Sequence, residues 1–301
     1  VLENGVFSKS FVESEKKNLI ATIESELNDK RAYAMGKMLR TMCKADSFGI
    51  PRLGDKEAVA AITPESAWNH YRKCLRESRI DIFYVGTAPA EQVAKLLMPL
   101  LDHIDRNYVN LPGQSPFHDA GGAHLSEQMD VTQGKLCMGY VTPVTNRDEG
   151  FVATQVMNTI FGAGMTSKLF MNVREKMSLC YAIGSGYYGT KGIVTVSAGI
   201  DFDKEQLVRD EIQHQLDALC SGDITDGELT SAKEALLSSL RGTHDSPGAI
   251  EGYYATAALS GMGMTPAVYM DAVRAVTAEQ VAEAAKKLQL HTTYFLKGAA
   301  Q

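Results

Sequence analysis

Two stretches of this 301-residue chain read as copies of one another. "AVAAITPESAWNHYRKCLRESRIDIFYVG", from Ala58, resembles "AVRAVTAEQVAEAAKKLQLHTTYFLKG", from Ala272, and the two starts lie 214 residues apart. Upstream, "SEKKNLIATIESELNDK" from Ser14 resembles "TSAKEALLSSLRGTHDS" from Thr230, which sets Asp29 opposite Asp245 at a spacing of 216. Duplication at a fixed spacing means two units built on one plan. The second unit opens with a strand near Leu136 and a long helix after it, and the first has no counterpart of either. The offset would put that counterpart about 80 residues ahead of Val1. The chain is therefore expected to hold one and a half repeats of a two-repeat protein. Its start, "VLENGVF", has neither Met nor a secretory apolar segment, which fits a missing front and does not support export.

Local signals fill in the plan. "GKLCMGYVTP" (134–143) and the β-branched "GIVTVSAGID" (192–201) read as strands, and "EGFVATQVMNTIFG" between them spaces Phe151, Val152, Val156, Met157 and Ile160 as a helix does. Leu207, Ile212, Leu216 and Leu219 form one helical stripe, which Gly222 stops. Thr225 with Glu228, and Thr277 with Gln280, have the spacing at which each side chain can bond the other's free backbone N–H at a helix start. Thr63 before Pro64 marks another start. Gly162 and Gly164 end one helix before Thr166 or Ser167 begins the next. "RIDIFYVGTA" (79–88) and "TTYFLKG" are expected strands, and the Pro-, Gly- and Asn-rich run 107–124 is the expected linker. The expected domains are residues 1–106, the second half of a first unit, and 125–301, a complete second one.

Composition narrows the function classes. No apolar run approaches the roughly 20 residues of a membrane helix, so no membrane partner is expected. Acidic residues outnumber basic ones, 36 to 30, without the clustered Lys and Arg a nucleic-acid surface needs. The cysteines Cys43, Cys74, Cys137, Cys180 and Cys220 are odd in number and form no C-x-x-C pair, which suits free thiols in a reducing compartment.

The run "LFMNVREKMSLCYAIGSGYY … GIVTVSAGID" resembles the C-terminal domain of the insulinase and pitrilysin family of zinc peptidases, which includes mitochondrial processing peptidase. "FGIPRLGDKEAVAAITPESAWNHY … IDIFYVG" resembles the second half of that family's first domain, so the likeness spans almost the whole chain outside the linker. "NDKRAYAMGKM", "NVREKMSLCYA" and "TTYFLKG" are most similar to a bacterial cytoplasmic subgroup regarded as non-catalytic. The resemblance implies an α+β fold of two homologous domains, each a mixed β-sheet packed against helices, closed around a chamber, with the first domain incomplete here. It also implies a zinc ion held in one domain by an H-x-x-E-H helix and a distal glutamate, and an arginine–tyrosine pair reaching over from the other.

Zinc needs two neutral imidazoles on one helical face and a carboxylate. None of His70, His103, His118, His124, His214, His244 and His291 belongs to an H-x-x-E-H, and the nearest likeness, "HLSEQ" from His124, puts glutamine in the second ligand's place within an expected polar loop. The family's distal glutamate lies seven residues after another glutamate, which from Glu15 is Thr22. Glu24 and Glu26 are near, but two residues rotate a side chain about 200° around a helix. No metal site and no cofactor are expected in this chain, zinc belonging to the family's catalytic domain.

The arginine–tyrosine pair maps onto Arg174 and Tyr181. Seven residues are nearly two helical turns, so the two project from one side if the helix runs that far. A guanidinium and a phenol are hydrogen-bond donors of the kind that stabilise the oxyanion in acyl hydrolysis. The competing reading is a surface contact of Arg174 with Glu175 or another carboxylate, beside a packed tyrosine. Cys180 lacks a nearby base, and Met262, Met264 and Met270 suit core gaps.

Three functional readings follow. The chain is a non-catalytic homologue presenting peptide to a zinc-bearing partner, and it is expected to assemble with such a partner subunit or as a homo-oligomer. Alternatively, a longer form carries H-x-x-E-H and is itself a zinc peptidase, or the chain is a peptide-binding scaffold without catalysis.

Overall fold

In a computed structural model, residues 1–110, 117 and 121–298 are described. The first unit opens with a short hairpin, β1 (Leu2–Glu3) and β2 (Val6–Phe7), followed by α1 (Lys9–Glu26), α2 (Lys30–Met42), α3 (Lys56–Ala60), α4 (Pro64–Glu77) and α5 (Ala90–Asp102). The second runs β3 (Ala123–Met129), β4 (Gly134–Val141), α6 (Phe151–Phe161), a π-helix (Leu169–Lys176), β5 (Ala182–Tyr188) and β6 (Ile193–Ile200). Then come α7 (Glu205–Cys220), α8 (Asp226–Arg241), α9 (Pro247–Ser260), α10 (Pro266–Ala275), α11 (Ala278–Ala285) and β7 (Gln289–Gly298). Among the described residues no helix is long and apolar enough to cross a membrane.

The repeat reappears as element order: α1 to α4 answer to α8 to α11 at the expected spacing. The capping chemistry repeats with it. Thr63 accepts from Ser66 N, Thr225 from Glu228 N and Thr277 from Gln280 N, each in a reciprocal box. The units part after the fourth helix. β7 lies inside a five-stranded sheet ordered β3-β7-β4-β6-β5, parallel only between β3 and β7. Its counterpart 79–85, expected to be a strand, forms neither helix nor strand, and Ile82 and Tyr84 are exposed. A strand needs neighbours to take its backbone donors and acceptors, and among the described residues the first unit's sheet is the two-stranded β1–β2 hairpin, which 79–85 does not join.

Two more expectations are corrected. A strand precedes the one near Leu136: β3 starts at Ala123, inside the stretch expected to be linker, which also reaches residues 111–116 and 118–120, outside the described residues. The stripe on α7 uses buried Val208, while Leu207 is exposed; one residue is 100° of rotation on a helix.

All eight residues of β6 are buried because both faces of the sheet are covered. One face sends Val194, Val196, Ala198 and Ile200 into the main core with α6, α7 and α8. The other face receives α2 from the first unit: Ala34, Met38 and Met42, at i, i+4 and i+8, pack with Cys137, Ile193, Tyr294 and Leu296. Burying each methionine is worth about 1.5–3 kcal/mol. Polar bonds fix how α2 sits. Tyr33 donates to one Glu127 oxygen at 2.8 Å and Tyr294 to the other at 2.6 Å. Burial raises the Glu127 pKa, but the two phenols and nearby Lys37 outweigh it and hold the carboxyl below its ordinary value. Lys191, itself buried, meets Asp46 at 2.7 Å.

Candidate functional site

α2 stops short of the sheet edge, and a cleft of ≈ 690 Å³ opens there. Its roof is the first turn of α2, where Asp29 accepts from the amides of Arg31 and Ala32, while the Arg31 guanidinium donates to Ser197 Oγ at 3.3 Å. The floor is the α2-facing side of β5 and β6, with Gly184 opposite Ser197 and Gly186 opposite Thr195. Small side chains there leave room beneath the helix. The loop 162–165 and Phe170 of the π-helix close one end. The loop is bound to the strand edge, since Ser185 N donates to Gly162 O at 2.9 Å and Ser185 Oγ to Asn158 Oδ1 at 2.8 Å. As expected, α6 ends at Gly162, and Ser167 accepts from Phe170 N as the next helix begins.

Arg174 and Tyr181 do not share a helix. The π-helix buries Leu169 and Val173, and Asn172 donates to Gln215 of α7 at 2.6 Å. It gives way at Ser178, whose positive φ of 52° is a strained, left-handed conformation for a residue with a Cβ. From there the chain turns toward β5, and Tyr181 N donates to Gly199 O at 2.9 Å. The Arg174 guanidinium lies 4.6 Å over the Phe170 ring and its Nε is 3.5 Å from Glu175. The Glu175 contact weighed from the sequence is therefore present. So is a cation–π contact with a residue that lines the cleft.

Tyr181 is not packed: it is 62% exposed and donates to Asp201 Oδ1 at 3.0 Å. Lys204 holds the other Asp201 oxygen at 2.7 Å. Lys204 and then Tyr181 lower the Asp201 pKa, and the carboxylate in turn raises that of the Tyr181 phenol. Burial pushes Cys180 up to about 11, against a smaller pull from Arg174, so its thiol is not an activated nucleophile.

The metal candidates are dispersed. Thr22 spends its hydroxyl on its own helix, donating to Asn18 O at 2.8 Å. Glu24 pairs with Lys56 at 3.1 Å. His124, expected in a polar loop, is on β3 with Nε2 3.5 Å from Glu205. Among the described residues no three His, Cys, Asp or Glu are grouped to hold a metal ion. Sequence reasoning missed the cleft itself. Arg31, Ser197 and the glycines of β5 come together only by the docking of α2, and their one local signal was the small-residue alternation in "AIGSGYY".

The family model described as the peptidase M16 inactive domain matches residues 61–236. A probable inactive metalloprotease of Bacillus subtilis, YmfF, is 29% identical over 99% of this chain and 70% of its own length. An uncharacterized zinc protease of Rickettsia felis is 24% identical over 80% of this chain and 58% of its own. Among solved structures, a conserved protein from Enterococcus faecalis superposes with TM-score 0.88 at 29% identity, over all of this chain and 71% of that one. A peptidase M16 inactive domain from Pseudomonas fluorescens gives TM-score 0.81 at 16% identity over 98% of this chain and 72% of that one, a likeness of fold. The chain belongs to the peptidase M16 family, as a homologue of the inactive-domain type.

Proposed function

We propose that this chain is a non-catalytic partner in peptide hydrolysis: the cleft holds an extended peptide, Arg174 and Tyr181 supply donors to the scissile carbonyl, and a zinc-bearing relative supplies the metal. The observation that carries the reading is the link from Arg174 through Phe170 to the cleft; Tyr181 is exposed and, like Arg174, is not itself among the cleft's lining residues. Free in solution, the phenol is committed to Asp201. It donates to substrate by rotating about its Cα–Cβ bond to another staggered position. The exposed position leaves room for that rotation. The free thiols fit a cytoplasmic setting.

A second reading has one observation behind it: relatives of which the chain spans 58% carry the description zinc protease. In that case a longer form with H-x-x-E-H cleaves peptide unaided. A scaffold role predicts cleavage in no combination. The test is hydrolysis of quenched fluorescent peptides by the chain, by a zinc-bearing homologue copurified from the same cells, and by both. The proposal expects turnover from the pair only. Equal turnover by the homologue alone refutes it.

A further inference from the structure

The cleft under α2 carries one charge that the fold barely uses. Asp29 and Arg31 are the charged residues on its wall. Asp29 is committed, since its Oδ1 accepts from the amides of Arg31 and Ala32, at 3.0 Å each, and caps α2. The Arg31 guanidinium makes one bond among the described residues, from Nη2 to Ser197 Oγ, and no carboxylate forms an ion pair with it. At 3.3 Å that bond is long, and its acceptor is a neutral hydroxyl. A guanidinium has five N–H donors in a fixed fork, so most of them are left to the cleft.

A second cation stands near it. Cys137 of β4 pairs with Ser197 and packs against α2, and Lys135 pairs with Gly199. Residues two apart on a strand share a face, so Lys135 is on the α2 side as well. Its ammonium donates to the neutral Gln133 Oε1. Burial, and then the charge of Arg31, push the Lys135 pKa below the ordinary lysine value, against a smaller pull from Asp29. Two like charges held together are relieved by an anion. The floor beside them has room for a chain. Gly184 and Gly186 lie opposite Ser197 and Thr195. An added Cβ would make one contact at each, Gly162 O at 3.4 Å and Thr195 Oγ1 at 3.5 Å, so missing side chains are what keep the floor open. Glycines in a strand let another backbone come close.

We propose that the cleft selects peptides by an acidic side chain, an aspartate or glutamate whose carboxylate takes the Arg31 guanidinium in a bidentate hydrogen bond, with Lys135 adding positive charge beside it. This rests on the cleft being the peptide site, and it makes Arg31 the specificity-determining residue there. The pair is charge-assisted and directional. A side-chain amide of the same shape offers one acceptor and no charge.

The test titrates the whole chain with end-blocked peptides that differ at one central residue, Glu, Gln or Lys. The methyl signals of Met35 and Met165, on the cleft wall, report binding by NMR. The Glu peptide is expected to bind about tenfold tighter than the Gln peptide, and the Lys peptide least well. That order is the reverse of what the chain's net charge of −6 would impose. Arg31→Gln should bring the Glu and Gln peptides within about twofold of each other. Arg31 is exposed and its side chain makes one bond, so the variant should fold; the wild-type comparison alone decides the matter should it not. Equal affinities for the Glu and Gln peptides, or a preference that survives Arg31→Gln, would overturn the proposal and leave the peptide reading standing. No shift with any peptide at about 1 mM would overturn both.

Discussion

Replacing Tyr181 by phenylalanine should slow peptide cleavage by the complex of this chain and a zinc-bearing relative about a hundredfold, with the chain's melting temperature unchanged. The substitution removes one donor and almost no volume from a side chain that is 62% exposed and touches the fold through a single bond to Asp201. An oxyanion donor acts in the transition state, so the loss should appear in kcat and kcat/KM alike, with KM little altered. Asp201→Asn is the informative companion. It weakens the acceptor that holds the phenol in the free chain, so it should spare turnover or raise it. If Tyr181→Phe leaves turnover intact and lowers the melting point, the tyrosine serves the fold and the substrate role is wrong.

The second large effect is structural. Gly192→Ala should cost about 3 kcal/mol or more, and Gly222→Ala about 1 kcal/mol. Both glycines have positive φ, 66° and 82°. Around Gly222 an added Cβ meets nothing within 4 Å, so only backbone strain is introduced. At Gly192 the same atom would sit 2.2 Å from Thr142 O, and that backbone does not yield because Thr142 N is already bonded to Gly192 O at 2.8 Å. The difference between the variants isolates the clash at the mouth of β6, the strand that supplies Thr195 and Ser197 to the cleft floor. Equal losses in chemical denaturation would show that the β4–β6 junction is softer than this packing implies.

What the sequence made legible was local or duplicated. Helix starts at Thr63, Thr225 and Thr277 were readable because a cap is a matter of three or four consecutive residues. β6 and β7 were readable from their β-branched and aromatic content. β5 was not, since "AIGSGYY" is rich in glycine and owes its extension to pairing with β6. β3 is polar and half-exposed at the sheet edge, and its parallel partner β7 is more than 160 residues away. The 79–88 stretch failed in the other direction: the strand signal is present, and a strand's surroundings are not. For the site, residue type was readable and geometry was not. Spacing of seven suggested one helical face for Arg174 and Tyr181, but a left-handed Ser178 lies between them.

The central claim is that this chain lends a peptide site and no metal. Its most direct test is the zinc content of the protein after saturation with zinc and desalting, read by plasma mass spectrometry against protein concentration. The account predicts roughly a tenth of an ion per chain or less, because Thr22, Glu24 and His124 are each engaged elsewhere and ungrouped. About one tightly held zinc per chain would contradict it.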